Sequence, residues 1–144
     1  MSIRTIVGFV ADFPVKGRVP GRELAELVAC CFRAASFDVH GPYEHEYTWD
    51  LRIQGDRLAA WIMMGFVDDT EMDPPRQWLI TSHCKCGFLK RRFDPGVIAR
   101  RDVLLHEVSK ALHRCLTDDA RASHITWHHE ETFDEPDDDP SACP

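Results

Sequence analysis

The stretch YEHEYTWDLRIQGDRLAAWIMMGFV, residues 43–67, decides the fold because two hydrophobic patterns meet in it. In residues 43–53, apolar side chains alternate with polar ones, as in a strand with one face in water. Residues 58–67 are apolar at both alternating sets of positions, which is typical of a strand that is buried on both faces. The segment Gln54–Gly55–Asp56 between them suits a short hairpin loop. The stretch therefore predicts two neighbouring strands of one sheet.

Working outward from this hairpin, the chain predicts three further strands and two helices. The strands are expected at residues 3–11, 77–88 and 123–130. Apolar residues at helical spacing, from Leu24 through about residue 37, predict an amphipathic helix. A longer helix is expected to begin at an N-cap and first-turn pair, Asp94 and Pro95, and to end near Leu116.

The predicted order is β-α-β-β-β-α-β, which indicates an α+β fold. We expect a two-layer sandwich in which both helices pack on one face of a mixed five-stranded sheet. Residues 1–133 form a single domain in this interpretation. Residues 134–144 are acidic, contain prolines and lack the apolar side chains that would offset ordering entropy, so they are predicted to be a disordered tail.

Two helices on one face leave the other face of the sheet uncovered. The strands at 3–11 and 58–67 are apolar on both sides, so this second face is expected to carry an apolar patch that includes Trp61 and Met63. An exposed patch of several hundred Å² usually marks an interface. The alternative is that a loop, such as residues 68–77, folds over it. The sequence leaves both interpretations open.

The net charge of −7 is concentrated at one end of the chain. Seven of the 24 acidic residues lie in residues 130–139, which contain no Lys or Arg. Residues 1–129 are therefore neutral, with 17 acidic and 17 basic residues. The basic cluster Lys90–Arg91–Arg92 is narrow, whereas nucleic-acid binders usually carry a broad basic stripe. This charge distribution argues against a nucleic-acid partner.

Composition also suggests the cellular compartment. The longest apolar stretch, Ala59–Val67, is about half of the ~20 residues that a membrane span needs. The first apolar run lacks the features of a secretion signal. Most of the six cysteines lie on apolar stripes, where a reduced thiol behaves as a small hydrophobe. We therefore expect a cytoplasmic protein with reduced cysteines and no membrane partner.

The string His83–Cys84–Lys85–Cys86 is the most metal-like in the chain. A structural zinc site needs four ligands, and the other candidates are scattered. In a strand, the two cysteines would share the core face while His83 points the opposite way. We accordingly predict no metal, no cofactor and no catalytic residue. The alternative that stays open is a small metal- or thiol-dependent enzyme built on Cys84, Cys86 and nearby histidines.

A tryptophan-bearing hairpin, an amphipathic helix and a closing Ile125–Thr126–Trp127 strand resemble features of the immunity proteins of bacterial polymorphic toxin systems. The resemblance covers residues 49–127. It implies a protein that binds and blocks one cognate toxin through acidic or apolar surface. The neutral charge of residues 1–129 differs from the strongly acidic pattern of those families.

Taken together, these features predict a protein-binding module rather than an enzyme. The expected partner is a cognate toxin, and a homodimeric adaptor is the alternative that uses the same surface. Three places are predicted to bind the partner: one face of the strand at 43–53, the patch around Trp61, and the acidic loop after residue 67. The residues concerned are Glu44, Glu46, Asp50, Trp61, Asp68, Asp69, Glu71 and Asp73.

Overall fold

The computed structural model of the protein describes residues 2–13, 21–45, 48–66, 76–86 and 92–135, with residues 2–13, 66, 76–77, 85–86 and 127–135 described by their backbone alone. An α+β fold with two helices and the predicted order of elements is confirmed, apart from one additional strand. The elements are β1 (Ser2–Phe13), α1 (Arg22–Ala34), β2 (Asp38–Glu44), β3 (Thr48–Gln54), β4 (Ala59–Phe66), β5 (Arg76–Cys86), α2 (Val97–Asp118) and β6 (Ser123–Glu135).

The six strands form one sheet in the order β2-β3-β4-β5-β1-β6. All five pairings are antiparallel, so the prediction of a mixed sheet is wrong. Helical crossovers usually join adjacent parallel strands. Here α2 does join two strands of the same direction, β5 and β6, but β1 lies between them and is antiparallel to both.

The extra strand arises because the predicted strand at 43–53 is in fact the end of β2 followed by β3. The chain reverses between His45 and Thr48, and the His45 N–H donates to the Thr48 carbonyl at 2.8 Å. In the resulting register Tyr43 is opposite Asp50 and Glu44 is opposite Trp49. Tyr43 therefore shares a face of the sheet with Asp50, although in one continuous strand the two positions would lie on opposite faces. A tight reversal of this kind leaves the alternation of residue types unbroken, so periodicity does not reveal it.

The second hairpin lies where the sequence predicts it. The Gly55 N–H donates to the Leu58 carbonyl at 2.7 Å, and Arg57 adopts a left-handed conformation with φ of 63°. The Gln54 side-chain amide also donates to the carbonyls of Gly55 and Leu58, both at 3.1 Å. These bonds fix β3 and β4 side by side, and the seven-residue register between them contains no bulge.

Both helices pack on one face of the sheet, as predicted, and a single core lies between the two layers. Alternate residues of β3, β4 and β5 face the helices and are fully buried, among them Leu51, Ile62 and Ile80. α1 and α2 also contact each other. The Arg33 guanidinium near the end of α1 donates to the Gly41 carbonyl of β2 at 2.9 Å, which holds the helix to the edge of the sheet.

Several element boundaries differ by a few residues from the sequence predictions. α2 has Gly96 rather than Asp94 at its N-cap, and the Asp94 carboxylate instead pairs with the Arg100 guanidinium. α1 ends at Ala34, before the predicted residue 37. β6 continues to Glu135, two residues into the predicted tail, while residues 136–144 lie outside the described ranges. Neither helix combines the length and the apolar composition that spanning a membrane would require, within the described ranges.

Candidate functional site

The candidate site is the face of the sheet opposite the helices, called here the open face. Residues directly opposite each other on antiparallel strands point to the same side, so the register defines rows that cross this face. One row runs from β2 to β5 through Tyr43, Asp50, Met63 and Thr81. The adjoining row crosses the same four strands through His40, Arg52, Trp61 and His83.

Three apolar or aromatic side chains on β2 and β4 form a patch on the open face. Tyr43 is 46% exposed and Met63 is 36% exposed, and both are large side chains. Trp61 is half-buried beside them, with its ring centroid 6.5 Å from that of Tyr43 and the two planes tilted by 44°. Tilted rings at this distance attract each other. The structure therefore supports the expectation of an apolar patch that includes Trp61 and Met63.

A carboxylate–imidazole pair borders this patch. Asp50 Oδ2 lies 2.7 Å from His45 Nε2, across the hairpin that joins β2 to β3. Burial raises the pKa of Asp50, and the neighbouring His45 opposes this shift without cancelling it. The second oxygen, Oδ1, is buried without a hydrogen-bond partner. The exposed His45 thus already binds this carboxylate across the hairpin.

Arg52 is the half-buried cation of the second row. Its Nη2 donates to Gln54 Oε1 at 2.7 Å, and its Nε is buried without a partner. Gln54 is in turn anchored to the carbonyls of the β3–β4 loop. Among the described residues, the Arg52 guanidinium is thus oriented by a neutral amide and not by a carboxylate. Trp61 lies directly opposite it on β4.

The structure separates the residues that the sequence analysis assigns to partner binding. Asp50 and Trp61 lie on the open face in adjoining rows. Glu44 is exposed but is opposite Trp49, whose side chain faces the helices, so Glu44 belongs to the other side of the sheet. The prediction that Glu44 and Asp50 share a strand face is therefore wrong, because the chain reverses between them. The remaining assignments lie outside the described residues: Glu46, Asp68, Asp69, Glu71 and Asp73.

The sequence analysis did not assign several open-face residues to partner binding, among them Tyr43, His40, Arg52 and His83. Regular alternation would place Tyr43 on the same face as Trp49, because the two positions are in phase. The β2 register shifts by one residue between His40 and Tyr43, which brings both onto the open face. Proline interrupts regular strand pairing, so Pro42 was the available signal for this irregularity. The other two positions carry no such signal, since isolated polar residues on a strand are ordinary.

The metal-like string does not form a ligand set in the described part of the chain. The Cys84 side chain is fully buried in the core beneath the helices. His83 lies on the open face, on the other side of the sheet. No group of three or more potential ligands converges among the described residues. Cys84 thus has the packing role that its phase with Ile80 indicates.

A surface depression lies between the two helices. It is a shallow groove of about 320 Å³ lined by small residues together with Cys31, Cys115 and Arg114. Burial raises the pKa of the Cys115 thiol, and contact with Cys31 and the negative charge of nearby Asp119 raise it further. A nucleophilic cysteine needs a lowered pKa. The Cys115 thiol therefore lacks the activation that a nucleophilic cysteine requires.

Comparison of the chain with protein-family models, with curated proteins and with solved structures finds no match.

Proposed function

We propose that the protein is a protein-binding module that docks its partner on the open face of the sheet. The observation that carries this proposal is the uncovered patch of Tyr43, Trp61 and Met63, which lies on the side away from both helices. Tryptophan, tyrosine and arginine are the residues that most often supply binding energy in protein interfaces. All three types adjoin one another here, with Arg52 opposite Trp61.

The partner that we propose is a cognate bacterial toxin, which the protein would neutralise in the cytoplasm as an immunity protein. The resemblance of residues 49–127 to immunity proteins supports this partner. The alternative of an enzyme that uses Cys84 is disfavoured by the complete burial of that thiol, which leaves no approach for a substrate. A homodimeric adaptor would use the same face and is separated from the toxin-binding proposal by experiment.

The test is co-expression with the product of the neighbouring open reading frame, followed by co-purification and calorimetry. We expect a complex with a Kd in the nanomolar range and protection of growth against that product. Trp61→Ala should weaken binding by roughly 30-fold or more, as hot-spot residues do. Because the Trp61 side chain lies outside the core between the layers, the thermal unfolding midpoint should change little.

Val103→Ala is the matched control for this experiment. Val103 is 57% exposed on α2, so the variant removes exposed apolar surface from the helical layer instead of the sheet. We expect it to bind as the wild type does. Equal binding by Trp61→Ala and the wild type would exclude the open face as the docking surface. A dimer in light scattering that Trp61→Ala disrupts, without a complex with the neighbouring product, would favour the homodimeric adaptor.

A further inference from the structure

Resting on the proposed function, we infer that Arg52 is the charged anchor of the open face and that the partner is a protein surface which places an Asp or Glu carboxylate against it. The partner would thus present a negative charge at this point, whereas acidic binding residues would select a positively charged partner. The two charged side chains that β3 places on this face, Asp50 and Arg52, differ in the contacts that they already make.

The acidic group in the same row as Tyr43 and Met63 is not available to a partner. Asp50 is bound to His45 at 2.7 Å, its side chain is only 16% exposed, and its second oxygen is buried. A basic side chain of a partner would have to displace His45 and open the hairpin to reach it. On the same strand and the same face, two residues further on, lies Arg52.

The Arg52 guanidinium, in contrast, is oriented but not neutralised. Its one acceptor among the described residues is the uncharged Gln54 Oε1, and that amide is itself fixed by the hairpin loop. The hydrogen bond to Gln54 already orders the Arg52 side chain, so binding a partner costs less side-chain entropy. A half-buried guanidinium with a neutral partner gains most from a carboxylate, which accepts two parallel N–H bonds from it.

Trp61 and Tyr43 supply the surroundings that make such a pair strong. Trp61 lies directly opposite the cation, and the Tyr43 ring lies 6.5 Å from the Trp61 ring. Both rings would exclude water from the charge pair once a partner covers them. Charge pairs of this kind contribute more when they are surrounded by desolvated contacts. A phosphate could also bind a guanidinium, but the chain carries a net charge of −7, and four of its acidic residues lie in β6 of the same sheet. That charge repels the many phosphates of a nucleic acid more strongly than a single carboxylate on a protein surface.

The experiment measures the Kd of Arg52→Ala, Arg52→Lys and Arg114→Ala for the product of the neighbouring open reading frame. Arg52→Ala should weaken binding by roughly 30-fold or more. Arg52→Lys should have an intermediate effect, because an ammonium group cannot form the bidentate pair. Arg114 is exposed on α2, so Arg114→Ala removes the same charge from the other layer and should bind as the wild type does. Thermal unfolding of each variant confirms that it is folded.

A charge-reversal cycle then identifies the partner's carboxylate. Arg52→Glu should abolish binding, and one Asp→Arg or Glu→Arg substitution in the neighbouring product should restore it. Normal binding by Arg52→Ala and Arg52→Glu together with loss of binding by Trp61→Ala would overturn the inference and leave the proposed function standing. Normal binding by Arg52→Ala, Arg52→Glu and Trp61→Ala would exclude both this inference and the proposed function. Arg52-dependent binding of a 20-nucleotide single-stranded DNA, without a protein complex, would also overturn the inference.

Discussion

At Asp50, burial and a nearby imidazole act in opposite directions on one carboxyl group. Burial raises the pKa above 3.8 and prevails over the attraction to His45. The folded protein therefore binds a proton at Asp50 more tightly than the unfolded chain does. Between the unfolded pKa and the higher folded pKa, the free energy of unfolding falls as pH rises, and above that window the ionised carboxylate opposes folding.

Asp50→Asn should consequently make the protein more stable at pH 7, because an amide does not ionise. The gain should shrink as pH falls through the folded pKa and vanish below about 3.8, where the wild-type carboxyl is protonated in both states. Chemical denaturation at several pH values measures this difference.

Asp38→Asn is the control: Asp38 forms a similar contact with His40 at 3.2 Å, but its side chain is 65% exposed. Its substitution should change stability by less than about 0.5 kcal/mol. Lower stability of Asp50→Asn at pH 7 would mean that the pair with His45 outweighs burial.

At the level of single elements, the two helices begin with glycines that have different backbone requirements. Gly21, at the N-cap of α1, has φ of 87°, a conformation that side-chain-bearing residues rarely adopt. A Cβ at this position would lie 2.8 Å from atoms of both Trp49 and Trp78, whose side chains are buried. Gly96, at the N-cap of α2, has φ of −86°, and a Cβ there would meet the flexible end of Arg100.

Gly21→Ala should therefore destabilise the protein by about 2 kcal/mol or more, through backbone strain together with displacement of two indole rings. The equivalent substitution at the other helix, Gly96→Ala, should cost less than about 1 kcal/mol. Urea denaturation of both variants measures the difference. Similar losses in the two variants would indicate that the indole rings can move without cost.

The strands and helices differ in how fully the sequence specifies them. β4 and both helices follow from hydrophobic periodicity because their apolar positions reflect the single core that they share. β2 does not, since Gly41 and Pro42 interrupt its pattern and the register shift moves Tyr43 to the other face. The residues of the open face differ in the same way in how far the sequence predicts them. Trp61 and Met63 were predicted from excess apolar surface, whereas Arg52 became a candidate only through its contact with Gln54 at 2.7 Å.

At the scale of the whole molecule, the open face and the edge of the sheet adjoin each other. Among the described strands β2 lies at the edge of the sheet and pairs only with β3, and the Tyr43 end of the patch lies on it. β4 lies in the interior of the sheet and is paired on both sides along most of its length. Edge strands open locally at a lower free energy than interior strands do. The part of the patch on β2 should thus be more mobile than the part on β4.

Hydrogen exchange followed by mass spectrometry tests this difference in the free protein and in its complex. Without a partner, peptides from β4 should exchange at a rate set by global unfolding, and peptides from β2 should exchange faster by on the order of 100-fold. A partner on the open face should slow exchange in β2 more than in α2, because the helical layer lies on the other side of the sheet. If β2 in the free protein is already as slow as β4, its edge is covered in solution. Repeating the measurement after dilution then distinguishes the causes, because protection by a second copy is lost on dilution.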